Sequence, residues 1–211
     1  MARLVLWHCV DARSFRPLWA LEELGLEYEL RVLPFPPRVF QKSFLDENPL
    51  GTIPLLVDGA TRMTESAGIP HYLAMTYGEG RFTLAPDHPE YGAYLNWLLH
   101  GEATLTFPQT IFLRYGSLEP PERRQPVVAD DYKRWFLARL RLAEATLSDG
   151  RDHLVGATFT MAEISVAYAI MLACQLGMEP DLPPNVLAWF KGLSRRPAFL
   201  AAKAAQQRAA A

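Results

Sequence analysis

Two short segments hold the residue types from which a binding site is made. Asn48-Pro49-Leu50-Gly51-Thr52-Ile53-Pro54-Leu55-Leu56 runs a proline into an apolar strand, and Met63-Thr64-Glu65-Ser66 follows shortly after. Proline cannot donate to a sheet ladder, so within a strand pattern it belongs at the first residue, an edge or a bulge. An X-Pro bond that opens a strand is a candidate cis peptide. A cis Ile53–Pro54 turns the backbone N–H and C=O of Ile53 outward, ready to pair with an extended peptide. Glu65 and Ser66 put a carboxylate and a hydroxyl at a helix start, where free N–H groups favour an anionic ligand. A backbone peptide reader beside a carboxylate-binding helix end is a site for a small acidic peptide.

The elements that must position these residues alternate between strand and helix. Arg3–His8 is a short apolar run with polar flanks and reads as a buried strand. Phe15–Leu24 sets Leu18, Leu21 and Leu24 on one helical face and stops at Gly25, a natural cap. Tyr28–Leu33 is a second strand, halted by Pro34, Pro36 and Pro37, and a short helix fills Phe40–Asp46. Pro54–Val57 and Thr61–Met63 flank Asp58-Gly59 as a hairpin, and Ser66–Tyr77 is a helix. If Ser66 is its N-cap, Pro70 is the fourth helical residue, so a tight or distorted first turn is expected. The order βαβ, hairpin, helix describes an α/β thioredoxin-like domain over residues 1–77. Residues 78–88 form a linker rich in Gly, Pro and charge, and 89–211 is an all-helical domain. There Tyr91–Tyr115 carries a long apolar face that Pro108 should kink, and Asp130–Leu147 is amphipathic. Thr160-Met161-Ala162-Glu163 is a capping box that opens a helix apolar on nearly all sides, suited to the middle of a bundle. The Ala-rich end, Ala201–Ala211, reads as a last helix fraying into a tail.

Bulk properties narrow the function classes. Half of the 211 residues are hydrophobic, which excludes disorder, and the formal net charge of −2 with no basic run gives no support to nucleic-acid binding. The apolar stretch at Met1–Trp7 is too short for a signal peptide, and no segment approaches bilayer-spanning length, so a cytoplasmic protein without membrane contact is expected. Cys9 and Cys174 make neither a disulfide framework nor a metal set, which fits a reducing compartment.

On these motifs the chain resembles the cytosolic glutathione transferases over its whole length. Ile53, Pro54, Glu65 and Ser66 match that family's glutathione-binding positions. The resemblance implies that Ile53 pairs with the cysteinyl backbone and that the Glu65-Ser66 pair holds the γ-glutamyl carboxylate. The capping box at Thr160 is similar to the start of the family's buried sixth helix. For the glycine carboxylate the family uses a polar side chain in the region of Arg38, Gln41 and Lys42. Glu102 reaches the γ-glutamyl amine across a dimer interface, or is a solvated helix residue; Leu105, Phe107, Phe112 and Tyr115 line the second-substrate pocket, or are core.

Chemistry is expected in the turn between first strand and first helix, His8-Cys9-Val10-Asp11-Ala12-Arg13-Ser14-Phe15-Arg16. A helix N-terminus stabilises a thiolate, and transferases of this fold add one hydroxyl or thiol as a local donor. Against the family pattern Asp11 falls where many bacterial classes hold that donor, although a second anion opposes a thiolate. The run from Arg13 to Leu18 is similar to the bacterial β-etherase-type transferases. On that likeness Ser14 is the thiolate donor and Arg13 its cationic neighbour; as the alternative, Ser14 only caps the helix. Cys9 reads as a small core residue, His8 as strand-end packing, and Asp11 as a partner for Arg13 or Arg16.

The function implied is a glutathione transferase, a homodimer of the detoxification type. Glutathione is the co-substrate, no metal takes part, and the thiolate attacks a small hydrophobic, aromatic electrophile held by the helical domain. A glutathione-dependent thiol–disulfide reductase and a non-catalytic binding protein of the same fold are the alternatives.

Overall fold

The computed structural model describes residues 4–210, so Arg3 lies outside the described first strand. The chain divides into two compact units: Met1–Thr83 with Ser194–Ala211, and Leu84–Leu193. The first contains β1 (Leu4–His8), α1 (Phe15–Leu24), β2 (Tyr28–Val32), α2 (Pro37–Phe40), β3 (Leu55–Asp58), β4 (Thr61–Met63) and α3 (Gly68–Tyr77). The second holds α4 (Tyr91–His100), α5 (Phe107–Leu113), α6 (Pro126–Arg139), α7 (Arg141–Leu147), α8 (Met161–Gln175) and α9 (Pro184–Leu193). The last helix, α10 (Pro197–Ala210), belongs to the first unit. The sequence division at 89–211 and the division by contacts therefore differ at this helix. No fraying tail is seen among the described residues: α10 stays helical to Ala210 and buries Phe199, Ala202, Ala205 and Gln206.

In the first unit the sheet order is β2-β1-β3-β4. β1 pairs with β2 in parallel and with β3 antiparallel, and β3 turns back into β4. Leu4, Leu6 and His8 alternate with half-buried Val5 and Trp7 along β1, the period-two pattern of a sheet packed unequally on its faces. α1 buries Phe15, Leu18, Trp19 and Leu21 and ends on Gly25 in the left-handed region, as its cap position requires. Cys9, Leu33, Phe44, Ile53 and Leu55 form a second cluster, which anchors the end of β1 beside the entry to β3.

The helix after β4 begins later than its sequence suggests. Glu65 and Ser66 stay outside α3, Ala67 is the N-cap, and Pro70 becomes the third helical residue. At that position the missing N–H has no intrahelical acceptor to lose, so the proline fits without distortion. The Glu65 carbonyl instead receives the Ile69 N–H at 3.0 Å.

The second unit is helical throughout its regular elements. Thr160 caps α8 by accepting from Ala162 N–H at 3.3 Å, while the Glu163 carboxylate accepts from Thr160 N–H at 2.7 Å and Leu154 N–H at 2.9 Å. That set of donors stabilises a carboxylate buried in the fold. The run containing Pro108 is not one kinked α-helix: Gly101–Thr106 is π-helical between α4 and α5, and Arg114–Leu118 is π-helical again. Thr106 Oγ1 donates to the Gly101 carbonyl at 2.7 Å, and the Gln109 amide donates to Leu105 and Ala169 carbonyls, covering acceptors in the disturbed ladder. Likewise Asp130–Leu147 is two helices, α6 and α7, that meet at Leu140.

Gly101, just after α4, lies in close contact with Ser165 of α8. A Cβ there would lie 2.4 Å from the Ser165 backbone and hydroxyl, and that hydroxyl donates to the Leu98 carbonyl at 2.6 Å. Gly101→Ala should force the helices apart and cost about 1–3 kcal/mol, the range for overpacking. A chemical denaturation curve reads this as a lower midpoint; an unchanged midpoint would show that the crossing has slack.

Candidate active site

The loop that delivers Ile53 is shaped by Asn48, which is buried. Its Oδ1 accepts from Leu50 N–H at 3.1 Å and its amide donates to the Thr52 carbonyl at 2.7 Å, an Asx-type turn closed on both sides. Gly51, at φ 59°, closes the same turn, and a side chain there would strike the Arg38 Cβ at 2.7 Å. The Ile53–Pro54 peptide is cis, as its place at a strand start suggests, and Phe35–Pro36 is cis also. Ile53 is buried through its side chain, and its strand pairing begins only at Leu55.

Ser66 meets a partner that sequence reasoning missed. Arg16, the second residue of α1, is wholly buried, and its Nη1 donates to Ser66 Oγ at 3.0 Å. A cation and a hydroxyl thus stand together next to the start of α3, with exposed Glu65 beside them. The type of Arg16 gave no signal, because an arginine near a helix start reads as solvated surface. A long-range partner is what makes its burial tolerable. Arg38 lies exposed on α2, and Gln41 follows it, its amide donating to Ser43 Oγ at 3.0 Å. Glu102 is half-buried in the second unit, and of the four pocket candidates there Leu105 is wholly buried while Phe107 is exposed.

The turn after β1 is organised otherwise than expected. Ser14 is wholly buried; its hydroxyl accepts from Cys9 N–H at 3.1 Å and donates to the Cys9 carbonyl at 3.4 Å. It makes no side-chain cap to α1, and it ties the turn to the end of β1. Arg13 is half-buried in the same turn. Asp11 Oδ1 accepts from Lys203 Nζ at 2.6 Å and from Gln206 Nε2 at 2.5 Å, partners that the sequence did not suggest. Gln206 Oε1 in turn accepts from Asp11 N–H at 3.1 Å and lies 3.0 Å from His8 Nε2. Burial lowers the His8 imidazole to about 4, so at neutral pH it is uncharged and donates to Gln206. Lys203 and Gln206 lie in the Ala-rich end of the chain, where no local motif marks them.

Cys9 is buried with its thiol 3.7 Å from the Pro34 carbonyl, and burial pushes it up to about 12. Such a thiol stays protonated across the physiological range and is no nucleophile. Among the described residues no cluster of His, Cys, Asp or Glu is arranged to hold a metal ion, and no helix is long and apolar enough to cross a membrane.

A thioredoxin-like sheet with a cis-proline before β3, joined in one chain to a helical unit, defines the class. Residues 2–75 match the glutathione S-transferase N-terminal domain. The chain is 31% identical to glutathione S-transferase GstB of Escherichia coli K12, over 92% of its own length and 95% of that protein. It is 25% identical to glutathione S-transferase 3 of Schizosaccharomyces pombe, over 92% of this chain and 84% of that one. Its fold superposes with a TM-score of 0.85 on the glutathione transferase URE2P6 of Phanerochaete chrysosporium, solved with oxidized glutathione, at 25% identity over 99% and 98% of the two chains. The chain belongs to the glutathione S-transferase family.

The Cys9 environment has a direct consequence. Its folded value lies above the ordinary 9.0, so the stability it contributes is complete below pH 9.0 and is lost as pH rises toward about 12. Iodoacetamide at pH 8 should therefore leave Cys9 unmodified in the native protein and alkylate it after denaturation. Rapid native labelling, located by peptide mass spectrometry, would show a thiol more open and more acidic than this.

Proposed function

We propose that this protein is a glutathione transferase that activates the thiol of glutathione for attack on a small apolar electrophile. The observation that carries the proposal is the buried Arg16–Ser66 hydrogen bond beside the start of α3, in a chain of this family. A γ-glutamyl carboxylate placed there would meet the Ser66 hydroxyl, the positive end of α3 and the nearby guanidinium. Glu65 has the wrong sign for that carboxylate and the right one for the α-ammonium next to it. The peptide then extends along the backbone of Ile53, which carries its cysteinyl sulfur toward the turn before α1. Arg38 and Gln41, one on and one just beyond α2, are the residues proposed to meet the glycine carboxylate; the Arg38 stem against the Gly51 turn supports this for Arg38.

With Ser14 committed to the backbone of Cys9, the charge on sulfur falls to the aligned peptide groups at the start of α1, where the Phe15 and Arg16 N–H groups already bond the Ala12 and Arg13 carbonyls and Pro17 has none. Their fixed dipoles lower the thiol's proton affinity. The proton leaves to solvent, the thiolate forms a bond to the electrophilic carbon, and the leaving group departs with its electron pair. Holding both reactants together supplies a large part of the rate. A disulfide reductase would need a reactive cysteine in this turn, and the protonated, buried Cys9 does not favour it.

Titration calorimetry with glutathione and a conjugation assay with 1-chloro-2,4-dinitrobenzene test the proposal together. The protein should bind glutathione and turn over the probe, and Ser66→Ala should weaken binding by about tenfold to a hundredfold, the loss of one hydrogen bond to a charged group. Binding absent at millimolar glutathione contradicts the function, and unchanged affinity in Ser66→Ala removes Ser66 from the site.

A further inference from the structure

Asp11 occupies a position that something must enforce. It lies at φ 57°, in the left-handed region, where a residue other than glycine pays a conformational cost. Aspartate and asparagine tolerate that region best, and here both the backbone N–H and the carboxylate of Asp11 are taken up by α10. The helix is itself clamped. Phe199 sets its edge against Phe15 and Trp19, with ring centroids 5.3 Å and 5.0 Å apart, and Arg196 makes two hydrogen bonds to Glu23 at 2.6 Å and 2.8 Å. Gln206, wholly buried, adds its bridge from Asp11 to His8 at the end of β1. All of these residues belong to one unit.

The electrostatics of the turn give the arrangement a purpose. The groups around Asp11 are His8 on β1, Cys9 and Arg13 in the turn, and Lys203 on α10. His8 and Cys9 are uncharged at neutral pH, Arg13 carries positive charge in the same turn, and Lys203, 2.6 Å away, is a cation bonded directly to the carboxylate. An unscreened carboxylate three residues before the Ser14 N-cap would oppose the anion that this turn has to stabilise.

We propose that Lys203 is a positioning residue for thiol activation, holding the Asp11 carboxylate on α10 and cancelling its charge beside the bound glutathione sulfur. The proposal rests on the glutathione transferase function argued above. It explains how an aspartate is tolerated where a second anion would otherwise suppress the chemistry, and it gives the last helix a part in the active turn.

The test uses the full-length chain and follows the ionisation of bound glutathione by the ultraviolet absorbance of its thiolate, with the pH profile of kcat/KM for 1-chloro-2,4-dinitrobenzene as a second readout. Lys203→Met should leave glutathione affinity nearly intact, raise the pKa of the bound thiol by about one unit, and lower kcat/KM at neutral pH about tenfold. Asp11→Asn keeps the hydrogen-bond acceptor and the backbone conformation but leaves Lys203 uncompensated, so it should lower that pKa. The double variant Asp11→Asn/Lys203→Met should return close to the starting value. A role in packing alone would impair both single variants in the same direction. Shifts of the same sign, or an unmoved pKa, would overturn the proposal, and the Asp11→Asn arm decides it even if Lys203→Met fails to fold. Failure of the unaltered protein to bind glutathione would be a different result: it would remove the function, and this role with it.

Discussion

A guanidinium with no exposure to water is the constraint around which the first unit is arranged. Taking Arg16 out of solvent costs several kcal/mol unless its donors are satisfied, so the residues near it cannot be placed freely. The bond from its Nη1 to Ser66 Oγ joins positions 50 apart in sequence and fixes the start of α1 against the start of α3. Two helix N-termini and one cation are thereby gathered in one region, each favouring negative charge. The sheet beneath supplies the remaining piece, since β1 and β3 are neighbours and bring Cys9 and Ile53 into one apolar cluster. The anion-binding end and the peptide-reading edge of the site follow from the same packing.

The turn before α1 shows how a local liability can be managed from a distance. Asp11 is unfavourable in backbone conformation and in charge for a site that stabilises an anion, and both problems are met by side chains almost two hundred residues away. Ser14 works inward, on the backbone of Cys9. The turn is held on its inner side by Ser14 and on its outer side by α10.

What the sequence reveals and what it conceals divide along range. The cap at Gly25, the capping box at Thr160 and the proline at the head of β3 depend on spacings of a few residues, and each is visible in a line of letters. Glu65 and Ser66 are visible in the same way, although Ala67, not Ser66, caps α3. Arg16, Lys203 and Gln206 are not, because their types and neighbours are those of ordinary helix surface. Only the topology tells which distant group each one meets. The same holds for Gly101: a lone glycine in a helix has many explanations until Ser165 is seen against it. The π-helical stretches beside Pro108 lay beyond a pattern that signals only a break in the ladder.

A crystal structure of the protein soaked with glutathione tests the central claim most directly. The γ-glutamyl carboxylate should lie within hydrogen-bond distance of Ser66 Oγ, the cysteinyl backbone should pair with Ile53, and the sulfur should face the start of α1. Glutathione bound elsewhere, or its sulfur seated on Cys9, would contradict the account.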